Sequence, residues 1–317
     1  VLTCEGEHSL LMSMIDVVAP GLAPVAGGRR RVLCCHRASL DHSAPPNSLE
    51  AVRRCVAAGA PRIEVDVRWL ADDELLVFHD PELDAETTAT GPVASLVRAD
   101  VAAIRYLDID GTPLCFLEDV VAAIDGSDTL LQVDLKGTAP LTPARVARLA
   151  AILRPIRAQA LVGSQAHWNL RLLREAGCRV AFDPTLHWHY RPGRRGEWLQ
   201  PAALGQHGLW DDAPLAAVPG VDPAVYVRHR VADLLGLVEA EEWMVDYATI
   251  RHLATLGVPL GDELAARGVE LAAWTVHDEG QAATAALVHA LFALGVTTII
   301  TDAPLAVARY LAEPATK

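Results

Sequence analysis

The sequence predicts a (β/α)8, or TIM, barrel with extended loops at one rim, on three observations. Short apolar β-type runs alternate with longer helical patterns along most of the chain, the order of a parallel sheet built from βαβ units. The length of 317 residues suits one elaborated barrel of roughly 250 residues plus insertions. The first strand runs into Cys34-Cys35-His36-Arg37, not into the GxGxxG loop that marks an open dinucleotide-binding sheet.

After basic punctuation at 27–31, strands are expected at 32–36, 62–67, 75–79, 130–136, 160–163, 179–182, 270–275 and 297–301. Each is a short, mainly aliphatic run of strand length. Helical patterns fall between many of them, at 48–58, 117–124, 143–153, 169–176, 248–256 and 281–294. Residues 183–245 break the alternation. They hold Trp188, Trp198, Trp210 and Trp243, with His187, His189 and His207, among scattered Pro and Gly. The segment reads as a rim insertion within a single domain, 1–317, whose residues 1–30 form an N-terminal extension. No internal repeat is evident.

A hydrophobic fraction of 51% with 21% charged residues belongs to a core-forming globular chain. The net charge of −13 repels phosphate backbones and anionic surfaces, which argues against a nucleic-acid binder. One bound divalent cation would still reverse that sign locally. The six cysteines form no CxxC pair, so they read as buried, reduced thiols, in keeping with a cytoplasmic location. Glu5, Glu7 and His8 precede the apolar stretch 10–20, where a secretory signal would be basic. No apolar run reaches the length of a spanning helix, so no transmembrane segment is expected.

The chemistry concentrates at strand ends. In Ile63-Glu64-Val65-Asp66-Val67 the two acids share one face of a strand. Two carboxylates on the inner face of a barrel are costly unless paired or metal-bound, and hard cations such as Mg2+ or Ca2+ take such oxygens. The alternative is a solvated strand face. In Val133-Asp134-Leu135-Lys136 an acid and a cation repeat the pattern, with a structural salt bridge as the plainer reading. His36 closes the first strand and His79 the third run. Barrel sites occupy the C-terminal strand ends, and imidazole titrates where acid–base chemistry needs it.

These residues stand in motifs. His36-Arg37-Ala38, Pro45-Pro46-Asn47-Ser48, Glu64-Val65-Asp66 and His79-Asp80-Pro81-Glu82-Leu83-Asp84 with Thr87-Thr88 follow one another in order. Val133-Asp134-Leu135-Lys136, Ala273-Trp274-Thr275-Val276 and Ile300-Thr301-Asp302-Ala303-Pro304 come later. Together they resemble the glycerophosphodiester phosphodiesterase family, whose signature reads HRG, PENT, ExD, HDxxLDRTT, ExK, WTV and ITDxP. The resemblance covers 32–138 and 265–310 and leaves 183–245 unaccounted for. It implies His36 and His79 as the acid–base pair and Glu64, Asp66 and Asp134 as ligands of a divalent metal, Mg2+ or Ca2+. Arg37 and Lys136 would bind phosphate, and Trp274 would wall the pocket.

Three positions depart from the family pattern. Ala38 replaces the glycine of HRG, Pro46 the acid of PENT, and Asp134 the glutamate of ExK. The activity implied is metal-dependent hydrolysis of a small glycerophosphodiester to glycerol 3-phosphate and an alcohol. An Asp-x-Lys strand also occurs in sphingomyelinase D-like relatives, so a phospholipase D-like attack on lysophospholipid or sphingomyelin head groups is the alternative. A catalytically dead barrel kept as a binding module is a third reading, opposed by the intact histidines and carboxylates. No serine or cysteine sits in a nucleophile setting, so the nucleophile is water or a hydroxyl of the substrate.

Overall fold

A computed structural model of the chain describes residues 31–109, 111–185 and 222–312. Eight parallel strands close on themselves. They are β1 Val32–Cys35, β2 Arg62–Trp69, β4 Leu130–Leu135, β5 Ala160–Ser164, β6 Arg179–Phe182, β7 Glu242–Asp246, β8 Glu270–Val276 and β9 Thr298–Thr301. Each pairs in parallel with the next in this order, and β9 pairs with β1 to complete the barrel. A ninth strand, β3 Leu75–Val77, pairs antiparallel with the end of β2 and lies outside the ring.

Alternation along the strands sorts the side chains. On β2, Ile63, Val65 and Val67 point outward into the main core shared with the helices, leaving Arg62, Glu64 and Asp66 on the axial face. The middle of the axis is filled by Cys34, Leu161, Ala181, Met244, Ala272 and Ile300. Beneath them lies a buried ion pair. Arg62 donates from Nη1 to Glu242 Oε2 at 2.9 Å and from Nη2 to Glu242 Oε1 at 2.6 Å. Arg62 Nη2 also reaches Gln132 Oε1 at 2.6 Å. This polar floor ties β2, β4 and β7 together across the axis. The described cysteines, Cys34, Cys35, Cys55, Cys115 and Cys178, are free thiols.

Helices cover the outside, with starts fixed by side-chain caps. Ser48 accepts from Ala51 N ahead of Leu49–Ala57, Thr142 from Arg145 N ahead of Pro143–Leu153, and Asp246 from Thr249 N ahead of Tyr247–Thr255. Each satisfies an amide that the first turn leaves without a partner. No helix among the described residues is long and apolar enough to cross a membrane.

Two expected elements differ. The run at 75–79 is a hairpin return rather than a barrel strand. Only residues 70–74 separate it from β2, and Asp73 turns there at φ 62°, whereas a parallel crossover needs a dozen residues or more. It opens an excursion through residue 116 with its own small core of Leu70, Leu76, Phe78, Leu83, Val93, Val101, Ile104, Tyr106 and Leu114. The eighth barrel strand is instead β7, within the segment read as rim loops. Helix Pro223–Leu235 precedes it, capped by Asp222. Acidic residues at both ends hid this strand: Glu242 is the partner of Arg62 and Asp246 is a helix cap. Of the segment's aromatic and imidazole groups, Trp243 is fully buried, while Trp188, Trp198, Trp210, His187, His189 and His207 lie outside the described residues.

Candidate active site

At the C-terminal end of the barrel the strand ends surround a cavity of about 310 Å3, lined among others by His36, Arg37, Glu64, His79, Asp134, Lys136, Asp183 and Trp274. Asp66 sits behind this wall, fully buried. The structure thus gathers His36, Arg37, Glu64, Asp66, His79, Asp134, Lys136 and Trp274 at one rim, although β1, β2, β3, β4 and β8 deliver them separately.

Glu64, Asp66 and Asp134 form an acidic cluster in which one oxygen from each lies within 4.8 Å of the others. The register makes this unavoidable, since Asp66 pairs directly with Asp134 across β2 and β4. Burial pushes the Glu64 carboxyl well above its ordinary range, and the charges of Asp66 and Asp134 push the same way. Burial acts upward on Asp66 too, but Lys136, His79 and the Asn47 amide outweigh it and hold Asp66 at about 2. Three hard oxygen donors with too little positive charge among them suit a divalent cation. Asp66 Oδ1 is buried and lies 2.8 Å from the Lys136 ammonium.

The cations expected to meet phosphate are held by these acids. Lys136 Nζ is 2.6 Å from Asp134 Oδ2, and Arg37 Nε is 3.3 Å from Asp66 Oδ2. Arg37 also donates its backbone N–H to Glu64 Oε2 at 2.7 Å. That contact needs a tight turn after β1, and Arg37 and Ala38 adopt φ 50° and 52° to make it. Left-handed backbone favours glycine, so Ala38 holds a conformation that the family's usual glycine would adopt without strain.

Both histidines have carboxylate partners. His79 Nδ1 is 2.5 Å from Asp80 Oδ1, and burial lowers the His79 pKa. The excursion is pinned to the barrel where His79 emerges: Phe78 N donates to Asp66 O and Arg68 Nε to His79 O. His36 Nδ1 is 2.5 Å from Asp302 Oδ1, and His36 Nε2 lies 4.0 Å from Glu64 Oε2. Trp274 stands in the pocket wall, paired in register with Asp246.

Sequence reasoning missed four groups here. Asn47 clamps Asp66 twice, donating from Nδ2 to Oδ2 at 2.8 Å and accepting the Asp66 N–H at 3.0 Å. Asp80 and Asp302 are the carboxylate partners of the two histidines, and Asp183, beyond β6, lines the cavity wall. Burial raises the Asp183 carboxyl to about 7, with Asp134 adding to the effect. Asn47, Asp80 and Asp302 all stood inside quoted motifs, a signal that could have found them. Asp183 stood in none.

The fold has close counterparts among solved structures. A glycerophosphodiester phosphodiesterase from Agrobacterium tumefaciens superposes with a TM-score of 0.60 at 18% identity, over 88% of this chain and 99% of that one. An Oleispira antarctica phosphodiesterase, solved with the product sn-glycerol-3-phosphate, gives 0.59 at 14% identity, over 90% and 98%. In sequence, a glycerophosphodiester phosphodiesterase from Caldanaerobacter subterraneus is 25% identical over 149 residues, 45% of this chain and 61% of the relative. Bovine glycerophosphodiester phosphodiesterase 1 is 29% identical over 118 residues, 35% and 36% of the two chains. The matched stretches therefore span less than two thirds of these relatives' lengths. The model of the Glycerophosphoryl diester phosphodiesterase family matches residues 36–306, nearly the whole barrel, and the chain belongs to that family.

Proposed function

We propose that this protein hydrolyses small glycerophosphodiesters to glycerol 3-phosphate and an alcohol, with a divalent cation, Mg2+ or Ca2+, held by Glu64, Asp66 and Asp134. One observation carries the reading: three clustered carboxylates and two carboxylate-paired histidines meet at a single cavity. The cation would supply positive charge against the phosphoryl oxygens as negative charge builds there. Arg37 and Lys136 stand beside the same carboxylates and would add theirs.

One of His36 and His79 removes the proton from the substrate hydroxyl neighbouring the ester oxygen. That oxygen attacks phosphorus, the bond from phosphorus to the alcohol oxygen breaks, and the other histidine protonates the departing alcohol. Tethering the nucleophile to the phosphorus lowers the barrier by several kcal/mol. Water then opens the cyclic phosphate with the two proton transfers reversed. Direct attack by water is the competing route, and a substrate lacking the neighbouring hydroxyl separates them. Slow turnover of that analogue with unchanged binding supports the tethered attack.

A second reading, action on lysophospholipid or sphingomyelin head groups, is favoured by one feature. Leu107 and Ile109 are 62% and 44% exposed on the excursion that carries His79, a placement suited to touching acyl chains. Assaying glycerophosphocholine against lysophosphatidylcholine, with and without excess chelator, tests both readings. We expect glycerophosphocholine to be preferred, with release of glycerol 3-phosphate abolished by chelator and restored by Mg2+ or Ca2+. Full activity after metal stripping would overturn the metal reading. Alanine at either His36 or His79 should lower kcat by about 100-fold or more.

A further inference from the structure

The loop after β9 carries a carboxylate shared between two imidazoles. Asp302 Oδ1 lies 2.5 Å from His36 Nδ1, and Asp302 Oδ2 lies 2.8 Å from His277 Nδ1. The three side chains grade from inside to outside, at 20%, 35% and 59% exposure for His36, Asp302 and His277. They come from three separate strand ends, β1, β9 and β8, where the barrel closes. We propose that Asp302 is a positioning residue for His36, and that His277 is a positioning residue for Asp302.

The argument is one of hydrogen-bond direction. Each oxygen of the Asp302 carboxylate faces one imidazole Nδ1, Oδ1 that of His36 and Oδ2 that of His277. An ionised carboxylate only accepts hydrogen bonds. Both Nδ1 atoms are therefore the donors to Asp302, and Nε2 is the ring nitrogen that His36 presents to the cavity. That nitrogen faces the Glu64 side of the cavity, 4.0 Å from Oε2, where the reacting groups of the proposed phosphodiester would lie. Rotating His36 or switching its tautomer breaks the Asp302 contact, so the carboxylate fixes orientation and tautomer together.

His277 completes the arrangement. Asp302 stands on a loop, and a carboxylate held at one oxygen alone can swing about its χ angles. The second contact at Oδ2 removes that freedom, and the backbone helps by closing the turn: Ala303 N donates to Thr301 Oγ1 at 3.1 Å. The carboxylate partner of His79, by contrast, is its chain neighbour Asp80.

This inference rests on the phosphodiesterase reading, so the experiment includes a reference for it. Hydrolysis of glycerophosphocholine in saturating Mg2+ would be measured for His36→Ala, Asp302→Ala, His277→Ala and His277→Asn, and for the double variant His36→Ala with Asp302→Ala. Metal affinity and melting temperature would be read alongside. Asp302→Ala should lower kcat by about 100-fold, within the range of acid–base catalysis, with KM and metal affinity within about threefold of the parent. Adding Asp302→Ala to His36→Ala should cost almost nothing more, because residues acting through one group are non-additive. His277→Ala should lower kcat several-fold, and His277→Asn, which keeps an N–H donor, should recover most of it.

Outcomes separate cleanly. If His36→Ala is inactive but Asp302→Ala is fully active, the positioning role is overturned while the phosphodiesterase reading stands. If Asp302→Ala and His36→Ala lower kcat additively, Asp302 does not act through His36. Equal loss in His277→Ala and His277→Asn removes the hydrogen-bond role of His277. If no variant affects activity, the site itself has been misassigned.

Discussion

At the scale of single residues, Asp134 invites the sharpest test. It reaches the acidic cluster from β4 while its Oδ2 sits 2.6 Å from Lys136 Nζ, one methylene shorter than the glutamate usual in the family. Oxygen–metal distances of about 2.0–2.6 Å leave little slack. Replacing Asp134 with Asn should therefore lower metal affinity and turnover together by at least tenfold, whereas Asp134→Glu should retain most of both. Calorimetric titration with Mg2+ and steady-state kinetics check this, and equal loss in both variants would point to a steric role. Asp183 carries a pH prediction. Its folded pKa of about 7 lies above the aspartate reference near 3.9. Between about pH 4 and 7 the folded chain holds a proton that the unfolded chain has released, so stability falls as pH rises through that window. Asp183→Asn removes the cost. Thermal melts in chelator should show the variant gaining more over the parent at pH 8 than at pH 4.5, and an equal offset at both values would contradict the assignment.

Among the elements, the join between helix Leu260–Ala265 and the turn after helix Gln281–Ala293 is unusually close. A Cβ on Gly261 would collide with the Leu294 carbonyl oxygen and stand 2.7 Å from Gly295 Cα. Both obstacles are backbone, which a rotamer change cannot relieve. Gly261→Ala should destabilise the protein by about 1–3 kcal/mol, the scale of overpacking, seen as a lower urea midpoint with an unchanged slope. The excursion from residue 70 to 116 is the other element of consequence. Its separate apolar core lets it hold His79 firmly over the barrel without belonging to the barrel's own packing.

For the whole molecule, the buried Arg62–Glu242 pair is the feature most tied to closure. It links strands distant in sequence and is supported by Gln132 and Thr298. Breaking one side leaves an uncompensated buried charge, which costs about 3–5 kcal/mol. Arg62→Met should lose stability on that scale, and pairing it with Glu242→Met should regain most of the loss. Chemical denaturation of the two variants decides it. If the double variant is no more stable than the single one, the hydrogen bond that the Thr298 hydroxyl donates to Glu242 matters more than charge pairing.

The sequence by itself determined the fold class and the chemical inventory. Period-two residues on 62–67 and 130–136 put Glu64 with Asp66, and Asp134 with Lys136, on shared faces, because strand alternation is local; closure of the barrel made those faces the inner ones. His36, His79, Arg37, Lys136 and Trp274 were singled out by motifs that resemble the family's signature, not by periodicity. The three-dimensional fold alone decided what joins across the closure. The partnership of His36 with Asp302 spans 266 positions, and that of Arg62 with Glu242 spans 180, distances over which no periodicity carries information. The identity of the eighth strand was hidden for this reason, since Glu242 looks like a surface acid until Arg62 arrives beside it. The placement of 75–77 outside the ring followed from a turn too short for a crossover. Long-range pairing is settled by closing the barrel, and only then do residues that read as ordinary surface charges become the supports of a site.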